Sequence, residues 1–343
     1  MELGALIARV TEGEDLALEE AESAFGTVMR GEATPVQIAA LLASLRTKGH
    51  APSEVAGGVR ALRSAMIPVL ARNPGELVDT CGTGGGGFTT FNISTAAALV
   101  AAGAGVRIAK HGNRSFTSRS GSADVLEALG VRITLSPEGM SRVLEKAGIV
   151  FMFAPLLHPA MRHVGPVRKE LGIPTIMNLL GPLTNPAGVR RQVVGVADPA
   201  FITLVVQALR ALGHEHALVV HGEPGMDEVS PLGETRVAEL AGGAVREFTI
   251  RPEELGLAPA KPDEIRGGTP EENARTIGEI LSGETRGGAL SVTLLNAAAA
   301  LLVADAVRSF EEGVAGARAS VESGAAQRAL DALRKATAEE AGT

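Results

Sequence analysis

The chain has no tryptophan and no tyrosine, nine phenylalanines and a single cysteine in 343 residues. Without a second cysteine no internal disulfide can form, and Cys81 has no cysteine partner for a metal site. So few aromatic rings leave little on which to stack nucleobases. There is no basic excess either. The formal net charge is -7, which disfavours a polyanionic macromolecule as partner. The opening residues, MELGALIARVTEGEDL, lack the basic and long apolar regions of a secretory leader. The longest apolar tract, near Ala289 to Ala304, is interrupted by Ser291, Thr293 and Asn296, and reads as a buried helix rather than a membrane span. The expectation is a cytoplasmic protein with neither nucleic acid nor membrane as partner.

What remains is a chain that is 45% hydrophobic and 21% charged, as soluble globular proteins are, and long enough for about two domains or one large one. Its core must be made of Ala, Leu, Val and Ile. Residues 1 to about 70 read as helices: Leu3, Leu6, Ile7 and Val10 recur at helical spacing, and Thr34-Pro35 and Ala51-Pro52-Ser53 are helix starts. Asn73-Pro74-Gly75 marks a boundary. Beyond it short apolar runs alternate with helical patterns. Strands are expected at Leu77–Val78, before Lys110, over Val131–Leu135, Ile149–Ala154, Gln192–Val196 and Ala217–Val220, with helices entered at Ser136-Pro137 and over Phe201–Leu212. Two strands, as a hairpin, are expected within Gly233–Ile250, and the tail from Glu271 is helical. That alternation argues for an α/β fold with a mostly parallel sheet. Pro159–Leu180 interrupts it with helical pattern. There is no fixed-period repeat.

The densest chemistry lies between Leu77 and Gly130. An apolar run enters the glycines Gly82, Gly84, Gly85, Gly86 and Gly87, then Asn92, Ser94 and Thr95 open an Ala-rich helix, and a second apolar run ends in Lys110-His111-Gly112-Asn113-Arg114. Glycines let a backbone approach a phosphate closely, and a helix N-terminus adds partial positive charge. Gly82, Gly84 and Gly87 satisfy G-x-G-x-x-G, but Arg107 and Lys110 stand where a dinucleotide fold wants an acid. Phe88 follows the last glycine where a Walker loop wants Lys. A phosphorylated ligand fits; the two common nucleotide motifs do not.

The blocks GTGGGG, TFNIST, AKHGNR and SGSADVLEALG resemble the signature blocks of the anthranilate phosphoribosyltransferases, as do Phe153–Gly172, Asn178–Gly188 and Val219–Ser230. The similarity runs along most of the chain. It implies transfer of the phosphoribosyl group of phosphoribosyl pyrophosphate to anthranilate, with Mg²⁺, by a cytoplasmic homodimer. It also implies a small all-helical domain over residues 1–72, with 159–188 inserted back into it, on a larger α/β domain of 73–158 and 189–343. The sequence pattern alone suggests only the split near residue 73. Two positions depart from the family: Gly86 replaces the usual Asp of the glycine loop, and Met177 replaces the usual Phe before Asn178.

By this resemblance phosphoribosyl pyrophosphate is held by Gly82, Thr83, Gly84, Gly85, Thr90, Asn92, Ser94, Thr95, Lys110 and Ser122. Arg168 faces the anthranilate carboxylate, which a guanidinium matches in bidentate fashion, and Gly82, His111, Asn113, His158 and Pro182 line the same pocket. Asp227 and Glu228, adjacent acids just after a strand, hold the magnesium with Ser94. Asn92 stands at a helix-cap position, and His214, Glu215 and His216 read as capping residues between a helix and a strand rather than as metal ligands. Positioning and electrostatics, rather than one acid or base, are expected to carry catalysis. Two other readings are a pyrimidine nucleoside phosphorylase-like enzyme, which GTGG followed by NIST does not match, and a non-catalytic nucleic-acid-binding homologue, which the acidic balance does not suit.

Overall fold

The computed structural model describes residues 2–115 and 119–341. Four helices come first: α1 (Leu3–Thr11), α2 (Leu18–Met29), α3 (Pro35–Lys48) and α4 (Pro52–Ala65). The Thr34 hydroxyl accepts the backbone N–H of Gln37, and the Gln37 side chain accepts that of Thr34, so α3 starts in a reciprocal cap with Pro35 in its first turn. A short 3-10 turn at Pro74–Glu76 then leads into alternating structure. In chain order come β1 (Val78–Gly82), α5 (Ile93–Gly103), β2 (Ile108–Gly112), α6 (Ser122–Ala128), α7 (Pro137–Ala147), β3 (Ile149–Phe153), α8 (Ala154–Leu157), α9 (Met161–Leu171) and α10 (Met177–Leu183). There follow β4 (Arg191–Gly195), α11 (Phe201–Ala211), β5 (His216–Gly222), β6 (Thr235–Ala241), β7 (Ala244–Ile250), α12 (Pro270–Leu281), α13 (Gly288–Val303), α14 (Phe310–Glu322) and α15 (Ala325–Ala341).

The seven strands form one sheet in the order β3-β2-β1-β4-β5-β6-β7. The first five run parallel, and β6 and β7 return antiparallel. The β6–β7 hairpin turns at Gly242-Gly243, both at positive φ, where only glycine sits without cost. The chain winds outward one way through β1, β2 and β3 and the other way through β4 and β5, so β1 and β4 flank the point where the winding reverses. In such sheets ligands bind beyond the carboxyl ends of the strands at that point.

Side chains alternate across the sheet into two cores. Val193, Leu218 and Val220 face one core, with α5, α13, α14 and α15; Val194, Ala217 and Val219 face the other, with α11 and the N-terminal helices. Every residue of α13 except Ser291 is buried, which accounts for its long apolar tract. α9 packs on α2 and α3, and α10 packs on α4; Met177 is buried there among bundle residues.

One expected strand is absent. Val131–Leu135 forms no ladder. The alternation is real, since Val131, Ile133 and Leu135 are buried and Arg132 and Thr134 exposed. It is extended chain lying against α15, where the Thr337 hydroxyl takes the Arg132 N–H and Arg334 binds the Leu129 carbonyl.

Candidate active site

The glycine loop leaves β1 at the reversal point. Gly84 and Gly85 have φ of +68° and +80°, so both need glycine. The Thr83 N–H donates to the Gly195 carbonyl at 2.9 Å, which ties the loop to the end of β4. Asp227, from the loop after β5, accepts the Gly84 N–H at 2.8 Å. That loop lies so close over β1 and β4 that a Cβ on Gly82 would meet Asp227 Oδ2 at 2.2 Å, and one on Gly195 would meet the Asp227 carbonyl oxygen at 1.7 Å. Gly86 is crowded too, because a Cβ there would sit 2.7 Å from the Gly225 carbonyl.

Lys110, in the middle of β2, is 3% exposed. Its Nζ donates to the Thr80 carbonyl at 2.5 Å and to Ser94 Oγ at 3.2 Å. Burial lowers its pKa, and Asp79, Cys81 and Glu228 oppose that shift. Glu228 also receives a backbone hydrogen bond from Ser94, in the first turn of α5; burial and its neighbour Asp227 push its carboxyl up to about 8. Asp227 is raised as well, by burial first. Two half-buried carboxylates held beside each other in this way are relieved by a cation. Among the described residues no group of three or more His, Cys, Asp or Glu gathers to hold a metal. Two carboxylates and the Ser94 hydroxyl fit an ion that draws its remaining ligands from water and phosphate, as Mg²⁺ does.

A second cluster lies beside the first. His111 Nε2 and His158 Nε2 are 3.1 Å apart. Burial lowers His111 to about 3 and His158 to about 4, so both rings are neutral and one donates to the other. Ser122 Oγ donates to the Asn113 carbonyl at 3.2 Å. The Pro182 carbonyl, in α10, accepts from Gln192 Nε2 at 2.8 Å and lies 3.6 Å from Cys81 Sγ. Burial pushes the Cys81 thiol well up, which suits a packing role. Arg168, in α9, reaches only Asn178 Oδ1 at 3.4 Å and has no ion-pair partner among the described residues. Burial lowers its pKa.

Several candidates are placed differently from the expectation. The Asn92 amide is engaged: Oδ1 accepts from Ser120 Oγ and Asn273 Nδ2, and Nδ2 donates to the Ser120 carbonyl. It stands at the cap position of α5 but makes no side-chain cap bond. Thr95 is 2% exposed and its hydroxyl has no partner, so it faces the interior between α5 and β2 rather than the glycine loop. Thr90 forms an isolated bridge with Arg266. His214 does cap α11, with Nδ1 3.2 Å from the Leu209 carbonyl. His216 instead lies within β5, between Asp305 and Glu239. Of the basic loop from Lys110 to Arg119, residues 116–118 lie outside the described residues. Sequence reasoning passed over Asp79, Asn185, Gln192 and Asn296. The signal for Asp79 was a lone acid inside an apolar strand, and for Asn296 a polar break in an apolar helix.

Residues 74–327 match the profile of the glycosyl transferase family a/b domain, and residues 5–66 that of its helical bundle domain. The chain is 56% identical to the anthranilate phosphoribosyltransferase of Rubrobacter xylanophilus, over 93% of each chain. It is 52% identical to that of Thermomicrobium roseum, over 97% of this chain and 96% of the other. Among solved structures, the anthranilate phosphoribosyltransferase of Thermus thermophilus superposes with a TM-score of 0.91 at 45% identity, over 97% of this chain and 99% of that one. The Saccharomyces cerevisiae enzyme in complex with phosphoribosyl pyrophosphate and Mg superposes at 0.88 with 27% identity, over 98% of each chain.

Proposed function

Since this chain belongs to the anthranilate phosphoribosyltransferase family, we propose the following reading of its site. The protein transfers the phosphoribosyl group of phosphoribosyl pyrophosphate to the amine of anthranilate. The products are N-(5-phosphoribosyl)anthranilate and pyrophosphate, and the reaction is the second step of tryptophan synthesis from chorismate. The bond from the ribose anomeric carbon to diphosphate breaks as the bond to nitrogen forms, and the amine loses one proton.

The observation that carries this reading is the convergence of the glycine loop, Lys110 and the Asp227–Glu228 pair at one end of the sheet. The free N–H groups of the glycine loop and the Lys110 ammonium receive the diphosphate, with Ser94 between them. Asp227, Glu228 and Ser94 hold Mg²⁺, which screens the diphosphate as negative charge builds on it. Arg168 receives the anthranilate carboxylate, for which it has no competitor among the described residues. His111 and His158, both neutral, form with Asn113, Pro182 and Gly82 an uncharged wall for the aromatic ring. Thr83, Gly85 and Ser122 complete the phosphoribosyl side. Asn92 and Thr95 act by shaping that side rather than by touching phosphate, given the contacts that occupy the first and the burial that removes the second, while Thr90, bridged to Arg266 through its backbone, offers its hydroxyl to the phosphoribosyl group.

The helical domain is residues 1–72 with 159–188, and the α/β domain is 73–158 with 189–343; the packing of α9 and α10 on α2, α3 and α4 supports the division. A homodimer forms through the helical domain. On α3, Val36, Ala40 and Ala43 share a helical stripe, and Val36 is 78% exposed; a monomeric mass by light scattering at micromolar concentration would contradict the dimer. The enzyme works in the cytoplasm, because its pyrophosphorylated substrate does not cross membranes unaided. Among the described residues no helix is long and apolar enough to cross one.

The decisive assay is loss of anthranilate fluorescence on adding phosphoribosyl pyrophosphate and Mg²⁺. Nucleoside plus phosphate is the control. Turnover of the nucleoside without consumption of anthranilate would overturn the reading.

A further inference from the structure

β1 and β2 pair in register only at Val78 with Ile108. The flanking pairs β1–β4 and β2–β3 run over five positions each. Past Val78 the two strands make no further register pair, and side chains bridge the seam. Asp79 Oδ1 accepts the His111 N–H at 3.2 Å. Lys110 Nζ crosses the other way to the Thr80 carbonyl. Asn185, from the chain between α10 and β4, enters the same gap. Its Nδ2 donates to Asp79 Oδ2 and to the Ala109 carbonyl, both at 2.8 Å, and its Oδ1 accepts the Ala187 N–H at 2.9 Å. Asp79 and Asn185 are both wholly buried.

A buried carboxylate is an expensive way to join two strands that a backbone ladder would join with little penalty. The seam therefore calls for a reason. Its effect is to point Lys110 between the strands toward Ser94 while His111 leaves on the side of His158. Gln192 extends the link: its Nε2 donates to the Pro182 carbonyl and lies 3.4 Å from Asp79 Oδ2. One buried cluster thus touches the supports of both proposed substrate subsites.

We propose that Asp79 and Asn185 are positioning residues for the transfer reaction: they replace the missing β1–β2 ladder and set the direction in which Lys110 and His111 reach the substrates. This rests on the assignment of Lys110 to the diphosphate. Asn185 is the cleaner test of the two, because Asn185→Ala removes three hydrogen bonds without deleting an ionisable side chain. Asp79→Asn is the second variant, in case Asn185→Ala does not fold.

The experiment is a double-mutant cycle on phosphoribosyl pyrophosphate affinity. Calorimetry is run on the wild type, Asn185→Ala, Lys110→Gln and the double variant, with ligand up to millimolar concentrations and folding checked by circular dichroism. Asn185→Ala should weaken binding by about tenfold, the worth of one well-placed hydrogen bond. Lys110→Gln should weaken it at least as much. The double variant should bind no more weakly than Lys110→Gln alone, because the aim of a missing side chain has no further effect. Additive losses would mark Asn185 as structural support only. Wild-type affinity in Asn185→Ala with weakened binding in Lys110→Gln overturns the positioning role and leaves the site intact. Wild-type affinity in Lys110→Gln overturns the assignment beneath it.

Discussion

Asn296 and Val229 form a two-way pair: Asn296 Oδ1 accepts the Val229 N–H and Asn296 Nδ2 donates to the Val229 carbonyl, both at 2.9 Å. The bond lies one residue beyond Glu228 and fastens the carboxylate loop to α13. Replacing Asn296 by Leu keeps approximate volume but strands two buried backbone groups, at about 1–3 kcal/mol each. The expected result is a lower unfolding midpoint in urea together with a higher Mg²⁺ requirement for turnover. A destabilised protein with an unshifted Mg²⁺ curve would show that the loop does not depend on this anchor.

Arg168→Ala should raise the KM for anthranilate far more than that for phosphoribosyl pyrophosphate. The lost contact is a charge-assisted one, on the order of 1.5–3 kcal/mol. Steady-state kinetics with each substrate varied in turn decide it; equal damage to both constants removes Arg168 from the acceptor subsite.

The double variant Asp227→Asn, Glu228→Gln should turn over far more slowly, with partial recovery at high Mg²⁺. Gly86→Asp restores the carboxylate usual in the family, but its Cβ must displace the Gly225 carbonyl, and that turn leads directly into Asp227. We expect Gly86→Asp to need more Mg²⁺ than the wild type. Superimposable titrations for the three proteins would take both positions out of the metal argument.

Glu228 gives the metal-free protein a pH dependence of its own. Its folded-state pKa, about 8, lies above the ordinary glutamate value of 4.5, so the folded chain holds a proton that unfolding releases. The stabilisation this gives is complete below pH 4.5 and fades as pH rises through the folded value. Glu228→Gln removes the titration. In EDTA its melting temperature relative to wild type should climb from about pH 4.5 to about pH 8 and level off above that. A constant difference across that range would mean that Glu228 is ionised throughout.

Much of this was legible in the sequence because the chemistry is local. Five glycines after Val78, and Lys110 in the next apolar run, read as lying on neighbouring strands, and β1 and β2 are neighbours in the sheet. Pro35 and Pro52 announce α3 and α4. What escaped is what depends on who stands opposite. Val131–Leu135 alternates like a strand, but alternation reports only extended chain with one side covered, and here the cover is a helix. Asn92 and Thr95 have side chains suited to phosphate, yet Asn273, distant in sequence, engages one and burial takes the other. Asp79 and Asn185 are separated by 106 positions, so no spacing rule could join them.

The second core has a consequence for movement. Val194 and Val219 of the sheet share one apolar mass with Leu41, Val55 and Leu180 of the helices. Swinging the helices away like a jaw would expose that oily seat to water, at roughly 25 cal/mol for each Å² uncovered. The wider such an opening, the more apolar surface it uncovers, so the shared core holds the helices on the sheet and opposes their wide separation.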